Sequence, residues 1–181
     1  MAVRLHKRGY AMQILEAINN TAFSIWLRES SSLFAYPMFI LAHTIGLAIV
    51  VGLSSILALL ILGSAPRAVL AATRPVFPFL WAGFVINATS GPVLIIADAP
   101  TMATNRVMWI KFGFIIPAVV IMRRVQRLVV AAGDTQTVPA AASRVNSGKL
   151  LAAGALACWL GAIITGRLTA YFGPVAGLLG E

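Results

Sequence analysis

The chain has 181 residues, of which 60% are hydrophobic and 10% charged, with a mean hydropathy of +0.91. A soluble domain carries roughly 25% charged residues, so these proportions exclude a soluble domain of useful size and point to an integral membrane protein. The net charge of +9 would suggest nucleic acid in a soluble protein, but here the cations lie mostly between apolar stretches. There they set topology and meet anionic headgroups, so the partner they imply is the lipid bilayer and not nucleic acid.

The N-terminus, MAVRLHKRGY, is basic, but no clean apolar run with a small-residue cleavage site follows it, so it does not read as a cleaved signal peptide. In residues 10–28, Ala11, Ile14, Leu15, Ile18, Ala22, Ile25 and Trp26 recur at helical spacing, with Gln13, Glu16, Asn19, Asn20 and Ser24 largely elsewhere on the wheel. This stretch is too polar to span. It reads as one amphipathic helix lying on the membrane with Trp26 at headgroup depth, or alternatively as a partner-docking helix. Residues 1–29 thus form a tail and interfacial helix, and 30–181 a four-span transmembrane bundle, all-α in class.

The first span is expected over 33–62, with Ser30 to Ser32 offering N-cap oxygens, Pro37 near the start, and Gly63, Ser64 and Pro66 ending it. The second, over 76–98, holds Asn87, Thr89, Ser90, Gly91 and Pro92, which predict a kink or short break in its last third. The third, over 107–128, has Lys111 one turn inside and Pro117 in its middle, and ends in Arg123, Arg124 and Arg127. The loop 131–147 reads as small, polar and flexible. The fourth span, over 150–173, repeats small residues at every fourth position, Gly154, Cys158, Ala162, Gly166 and Ala170, a seam for close helix packing. Cys158 is the single cysteine, which excludes an internal disulfide and any multi-cysteine metal site.

Four spans put Arg67, Arg74, Arg123, Arg124, Arg127, Arg144 and Lys149 on one side. The positive-inside rule places that side in the cytoplasm and both termini outside, as in a bacterial inner-membrane protein. The basic N-terminal tail argues the other way.

A histidine inside an apolar span is costly and needs a reason. His43 lies about ten residues into the first span and Lys111 about four into the third, while Arg167 falls roughly six before the end of the fourth. Tyr171 is closer still to that end, and Asp98 caps the second span. All fall toward one end of the bundle. One reading is a haem b site, with His43 as axial ligand, Gly46 one turn along leaving room for a flat macrocycle, and Lys111, Arg167 and Tyr171 pairing with propionates. The haem would then be five-coordinate, or its opposite axial ligand would come from Met38, Met108, a histidine of another subunit or, least comfortably, His6. A quinone is the second candidate, its carbonyls taking donors from His43, Lys111 or Tyr171. The structural alternatives are a hydrogen-bonded packing histidine, snorkelling cations and an Arg167–Asp98 ion pair. Copper held by His43 and methionines is disfavoured, because the methionines are scattered. A catalytic triad, P-loop, Rossmann turn or zinc motif is not visible.

These residues resemble a bacterial inner-membrane family whose activity is not established. Its pattern of Glu-Ser, aromatic-Pro, His, Gly and Val-Gly is matched by Glu29-Ser30, Tyr36-Pro37, His43, Gly46 and Val51-Gly52. A glycine, short apolar run and acid match Gly91 to Asp98, and an asparagine before an apolar-Lys step matches Asn105 and Ile110-Lys111. Trp159, Gly166-Arg167 and Ala170-Tyr171 complete the set, which covers about residues 28–172. The family's Leu-Arg-Leu-Gly after the first span is replaced here by Pro66-Arg67. The resemblance implies a four-span architecture.

The function expected is that of a small electron-transfer or anchor subunit holding haem b or quinone through His43, Gly46, Lys111, Arg167, Tyr171 and Asp98. It would work with an external redox protein, as a homo-oligomer or part of a larger membrane complex, and not as an enzyme by itself. A non-redox structural subunit is the alternative, with a small solute or ion transporter third.

Overall fold

The computed structural model describes the backbone of residues 2–134 and 141–171, and the side chains of residues 10, 12–131 and 148–169. Among the described residues the chain is all-helical, with no strand. The helices are α1 (Ala2–Asn19), α2 (Ala22–Glu29), α3 (Tyr36–Leu62), α4 (Arg67–Ala72), α5 (Val76–Ala97), α6 (Ala99–Thr104), α7 (Arg106–Asp134) and α8 (Ala141–Tyr171). Among the described residues three segments are long and apolar enough to cross a membrane: α3, α5 and, within α8, Gly148–Thr169. The fourth long helix, α7, is interrupted by Arg106 and Lys111 near one end and by Arg123, Arg124 and Arg127 toward the other.

The single amphipathic helix expected over residues 10–28 is two helices. The Asn-Asn-Thr run breaks it, because Thr21 caps α2 by accepting a hydrogen bond from the Ser24 amide at 3.3 Å. The serines expected to cap the first span do something else. Ser30 Oγ accepts from the Ser32 amide and Ser32 Oγ from the Phe34 amide, forming turns, while Ala35 occupies the N-cap of α3 without a side-chain bond. Pro37 stands in the first turn of α3, where its missing amide costs least.

At its other end α3 closes with the Ala65 amide bonded to Leu60 O and the Ser64 amide to Ile61 O. This is the Schellman pattern, and it holds Ser64 in the left-handed region at φ 57°. The loop after it contains α4, and the connection after α5 contains α6. Of the kink or short break expected near Pro92, the break is absent, since α5 continues as helix through Gly91 and Pro92. The loop expected over 131–147 is shorter, because α7 runs to Asp134 and α8 begins at Ala141. Residues 135–140 lie outside the described ones.

α3 packs against α5 and α8, and α7 against α8. Leu57, Phe77, Leu80, Met122, Val125 and Val129 form one buried cluster joining α3, α5 and α7. Val50, Ala118, Trp159 and Ala162 form a second, joining α3, α7 and α8. The closest approach is between α3 and α5. A Cβ on Gly46 would stand 2.7 Å from the Asn87 amide nitrogen, and one on Gly83 would stand 2.6 Å from an Ile49 methyl. Only glycine permits two backbones to come this near.

The small-residue seam of α8 faces α7. Gly154 lies against Ile121 and Gly166 against Lys111, while Gly161, outside the four-residue repeat, meets the Phe114 ring.

Candidate functional site

His43 lies about two turns from the start of α3, and Ser90 about two turns from the end of α5, so the antiparallel pair brings them level. His43 Nδ1 is 3.1 Å from Ser90 Oγ. The Ser90 hydroxyl also contacts Ile86 O at 2.6 Å, a carbonyl that only accepts, so its proton goes there. The hydrogen-bond network therefore assigns the proton of His43 to Nδ1, which donates to Ser90 Oγ and leaves Nε2 with an open lone pair. One turn below, Asn87 Nδ2 donates to the carbonyl of His43 itself at 2.9 Å. The imidazole rests over Gly91, where an added Cβ would meet Cε1 at 3.3 Å.

Lys111 is half-buried on α7, about one and a half turns from its start. Its side chain lies along α8, with Cε 3.5 Å and Nζ 3.6 Å from where a Gly166 Cβ would stand. Any larger residue at position 166 would push the lysine away. Among the described residues its ammonium has no hydrogen-bond or ion-pair partner.

A clasp closes the same end. Arg28 of α2 donates from one guanidinium nitrogen to Ala97 O at 3.0 Å and to Ser24 Oγ at 3.2 Å, and also bonds Asn19. Ser24, fully buried, donates to Ile96 O at 3.0 Å. The last carbonyls of α5 are thus satisfied by a cation and a hydroxyl, the arrangement a helix C-terminus favours. Across the assembly, Asn105 Nδ2 donates to Thr169 O at 3.3 Å while its Oδ1 accepts from the Val107 amide, tying the start of α7 to the end of α8.

Of the six residues expected in the site, His43 and Lys111 lie toward the same end of the assembly, His43 against Gly91 of α5 and Lys111 against Gly166 of α8. Gly46 is not beside an open gap: the room expected there for a macrocycle is filled by the Asn87 amide and Gly83 carbonyl of α5. Arg167 is exposed and forms no ion pair with Asp98. Asp98 joins α5 to α6, where its carbonyl accepts from the Met102 amide, and its carboxylate makes no cap bond. Tyr171 ends α8, and its side chain lies outside the described residues.

Ser90 and Asn87 were visible in the sequence as a weak point of the second span and not as partners of His43. Their three-residue spacing, at the depth of the histidine on an antiparallel neighbour, is the signal that pairs them. Two further buried polar atoms, Ser54 Oγ and Trp159 Nε1, have no hydrogen-bond partner among the described residues.

A neutral imidazole held at Nδ1 is well prepared to ligate a metal through Nε2. Of the methionines expected as opposite axial ligand, Met108 is buried on α7. Gly46 is closed, Met38 sits on the same helix as His43, and the His6 side chain lies outside the described residues. Among the described residues no three His, Cys, Asp or Glu side chains converge on a metal position. The chain matches no protein-family model, no curated protein and no solved structure.

Proposed function

We propose that the chain is a small four-span membrane subunit that binds a quinol or quinone head between His43 and Lys111, serving electron transfer or anchoring within a larger membrane assembly. The observation that carries this reading is the pairing of opposite hydrogen-bond characters at one depth. His43 Nε2 offers a lone pair, and Lys111 offers an unpartnered ammonium. A quinol hydroxyl donates to the first, and a ring oxygen on the far side accepts from the second. Such a head is flat and narrow and does not need the space a haem demands, so quinone is favoured over haem b here. The electrons would pass to or from an external redox protein. The arginine-rich ends of α3, α5, α7 and α8 would face the cytoplasm of a bacterial inner membrane, and the His43 end the outside.

The test is to purify the protein in mild detergent, after expression with added haem precursor, and weigh what an organic extract contains. Quinone is expected near one per chain, falling several-fold in Lys111→Met and in His43→Leu while both variants remain folded. Wild-type protein free of quinone, or a Soret band in its visible spectrum, would sink the quinone reading.

The His43–Ser90 bond also favours a second reading, a non-redox structural subunit in which His43 merely locks α3 to α5. It predicts no bound quinone and normal assembly of a His43→Ala variant.

A further inference from the structure

We propose that the opposite end of the molecule carries a binding site for the phosphate of an anionic phospholipid, built on Arg123 and Arg127. A recess of about 430 Å³ is lined by Arg123, Gln126, Arg127, Val130 and Ala131. Positions 123, 126 and 127 share one face of α7 because they are three and four apart. The recess is organised from α5. The Arg123 guanidinium lies over the Trp81 ring, 4.1 Å from its centre, and Trp81 Nε1 donates to Gln126 Oε1 at 2.9 Å. One indole therefore fixes two of the lining side chains. Stacking uses the flat face of a guanidinium and leaves its in-plane N–H groups to donate, the fork that matches phosphate oxygens. Arg74 donates to Val130 O, which sets a third guanidinium at the rim.

Charge points to an anion as well. The described acidic side chains, Glu16, Glu29 and Asp98, belong to elements at the His43 end. In the sequence around the recess Asp134 is the one acid, and its side chain lies outside the described residues. Against it stand Arg67, Arg74, Arg123, Arg124 and Arg127. Two features favour a lipid over a free anion. The recess lies beside the first turns of α5, an apolar helix long enough to cross a membrane and so to end among headgroups, and the exposed apolar side chains of Leu128 and Val130 stand beside the cations. A phosphodiester followed by acyl chains matches both.

The experiment is native mass spectrometry of the protein released from detergent micelles, titrated with phosphatidylglycerol or with phosphatidylcholine. Wild-type protein should retain phosphatidylglycerol preferentially. Arg127→Gln and Arg123→Gln should each weaken that binding about five-fold, the share of one arginine at a membrane surface. Phosphatidylcholine binding should not respond. Arg106→Gln, an equal loss of charge at the other end, should leave phosphatidylglycerol binding unchanged. Both recess arginines are exposed, and circular dichroism verifies that the variants fold. Unchanged binding in both recess variants, or an equal loss in Arg106→Gln, overturns the proposal. Displacement of the lipid by an equal concentration of inorganic phosphate would assign the recess to free phosphate and overturn the lipid.

Discussion

The two ends of the helical assembly are held by different means. At the His43 end, side chains reach backbone carbonyls on neighbouring elements: Ser24 to Ile96, Arg28 to Ala97, Asn87 to His43 and Asn105 to Thr169. At the arginine end a buried apolar cluster joins α3, α5 and α7, Trp81 packs against it while holding Gln126 and Arg123, and Arg74 reaches one backbone carbonyl, that of Val130. Cross-linked backbones fix atoms to within a few tenths of an ångström, which a site for a small ligand requires. Apolar packing with exposed cations above it fixes a surface and a charge, which is enough for a headgroup. The contrast suits the two proposals, a small ligand at one end and a lipid headgroup at the other.

The comparison breaks most severely at Gly46. In Gly46→Ala the new Cβ meets backbone atoms of Asn87 and Gly83, at 2.7 and 2.8 Å, and neither yields without moving α5. We expect a loss of about 1–3 kcal/mol, the usual cost of overpacking, and separation of His43 from Ser90. Gly52→Ala, on the same helix with nothing within 4 Å, should be neutral or slightly stabilising. Thermal unfolding of both variants in the same detergent checks this. Equal melting temperatures would mean that the α3–α5 contact is not tight.

The helix bounds were largely legible. The second span, expected over 76–98, is Val76–Ala97, because Pro75 and Asp98 bracket an apolar run. The depth of His43 and Ser90 was legible too, since each lies about two turns from the end of its helix and the antiparallel pair brings them level. What a single chain read in order does not disclose is which face meets which neighbour. Gly46 looked like space because its partner, Gly83, lies on another helix and itself lacks a side chain. Arg167 was expected to pair with a propionate or with Asp98, but it follows Gly166 by one position, and one position turns a helix by about 100°. Gly166 takes the inward place, and Arg167 is exposed. The break in the N-terminal helix was missed for a different reason: Asn19, Asn20 and Ser24 were counted as a polar face, and Thr21 between them, which caps α2, was passed over.

A smaller effect sharpens the His43 end. Ser90→Ala removes the acceptor of the His43 Nδ1 proton and leaves the imidazole without its described partner. A double-mutant cycle over His43→Ala and Ser90→Ala should give a coupling of about 0.5–1.5 kcal/mol, the range of hydrogen bonds between membrane helices. The variant Ser90→Thr keeps the hydroxyl and should retain most of it. Coupling within error of zero would remove the constraint on the tautomer, and with it the open lone pair on Nε2.

The smallest effect is at the arginine end, where a backbone turn, not a cross-link, finishes α3. Ser64 sits at φ 57°, a conformation that costs a residue with a Cβ roughly 1–2 kcal/mol. Ser64→Gly relieves that strain but makes the unfolded chain more flexible, a penalty of about 0.5–1 kcal/mol. The difference predicts a net gain of about 0.5 kcal/mol, read as a raised midpoint in denaturant-titrated micelles. Ser64→Val, β-branched in the same position, should lose more than Ser64→Ala. If Ser64→Gly destabilises the protein, the Ser64 side chain must contribute something the turn does not explain. The arginine end would then depend on specific side-chain contacts as the His43 end does.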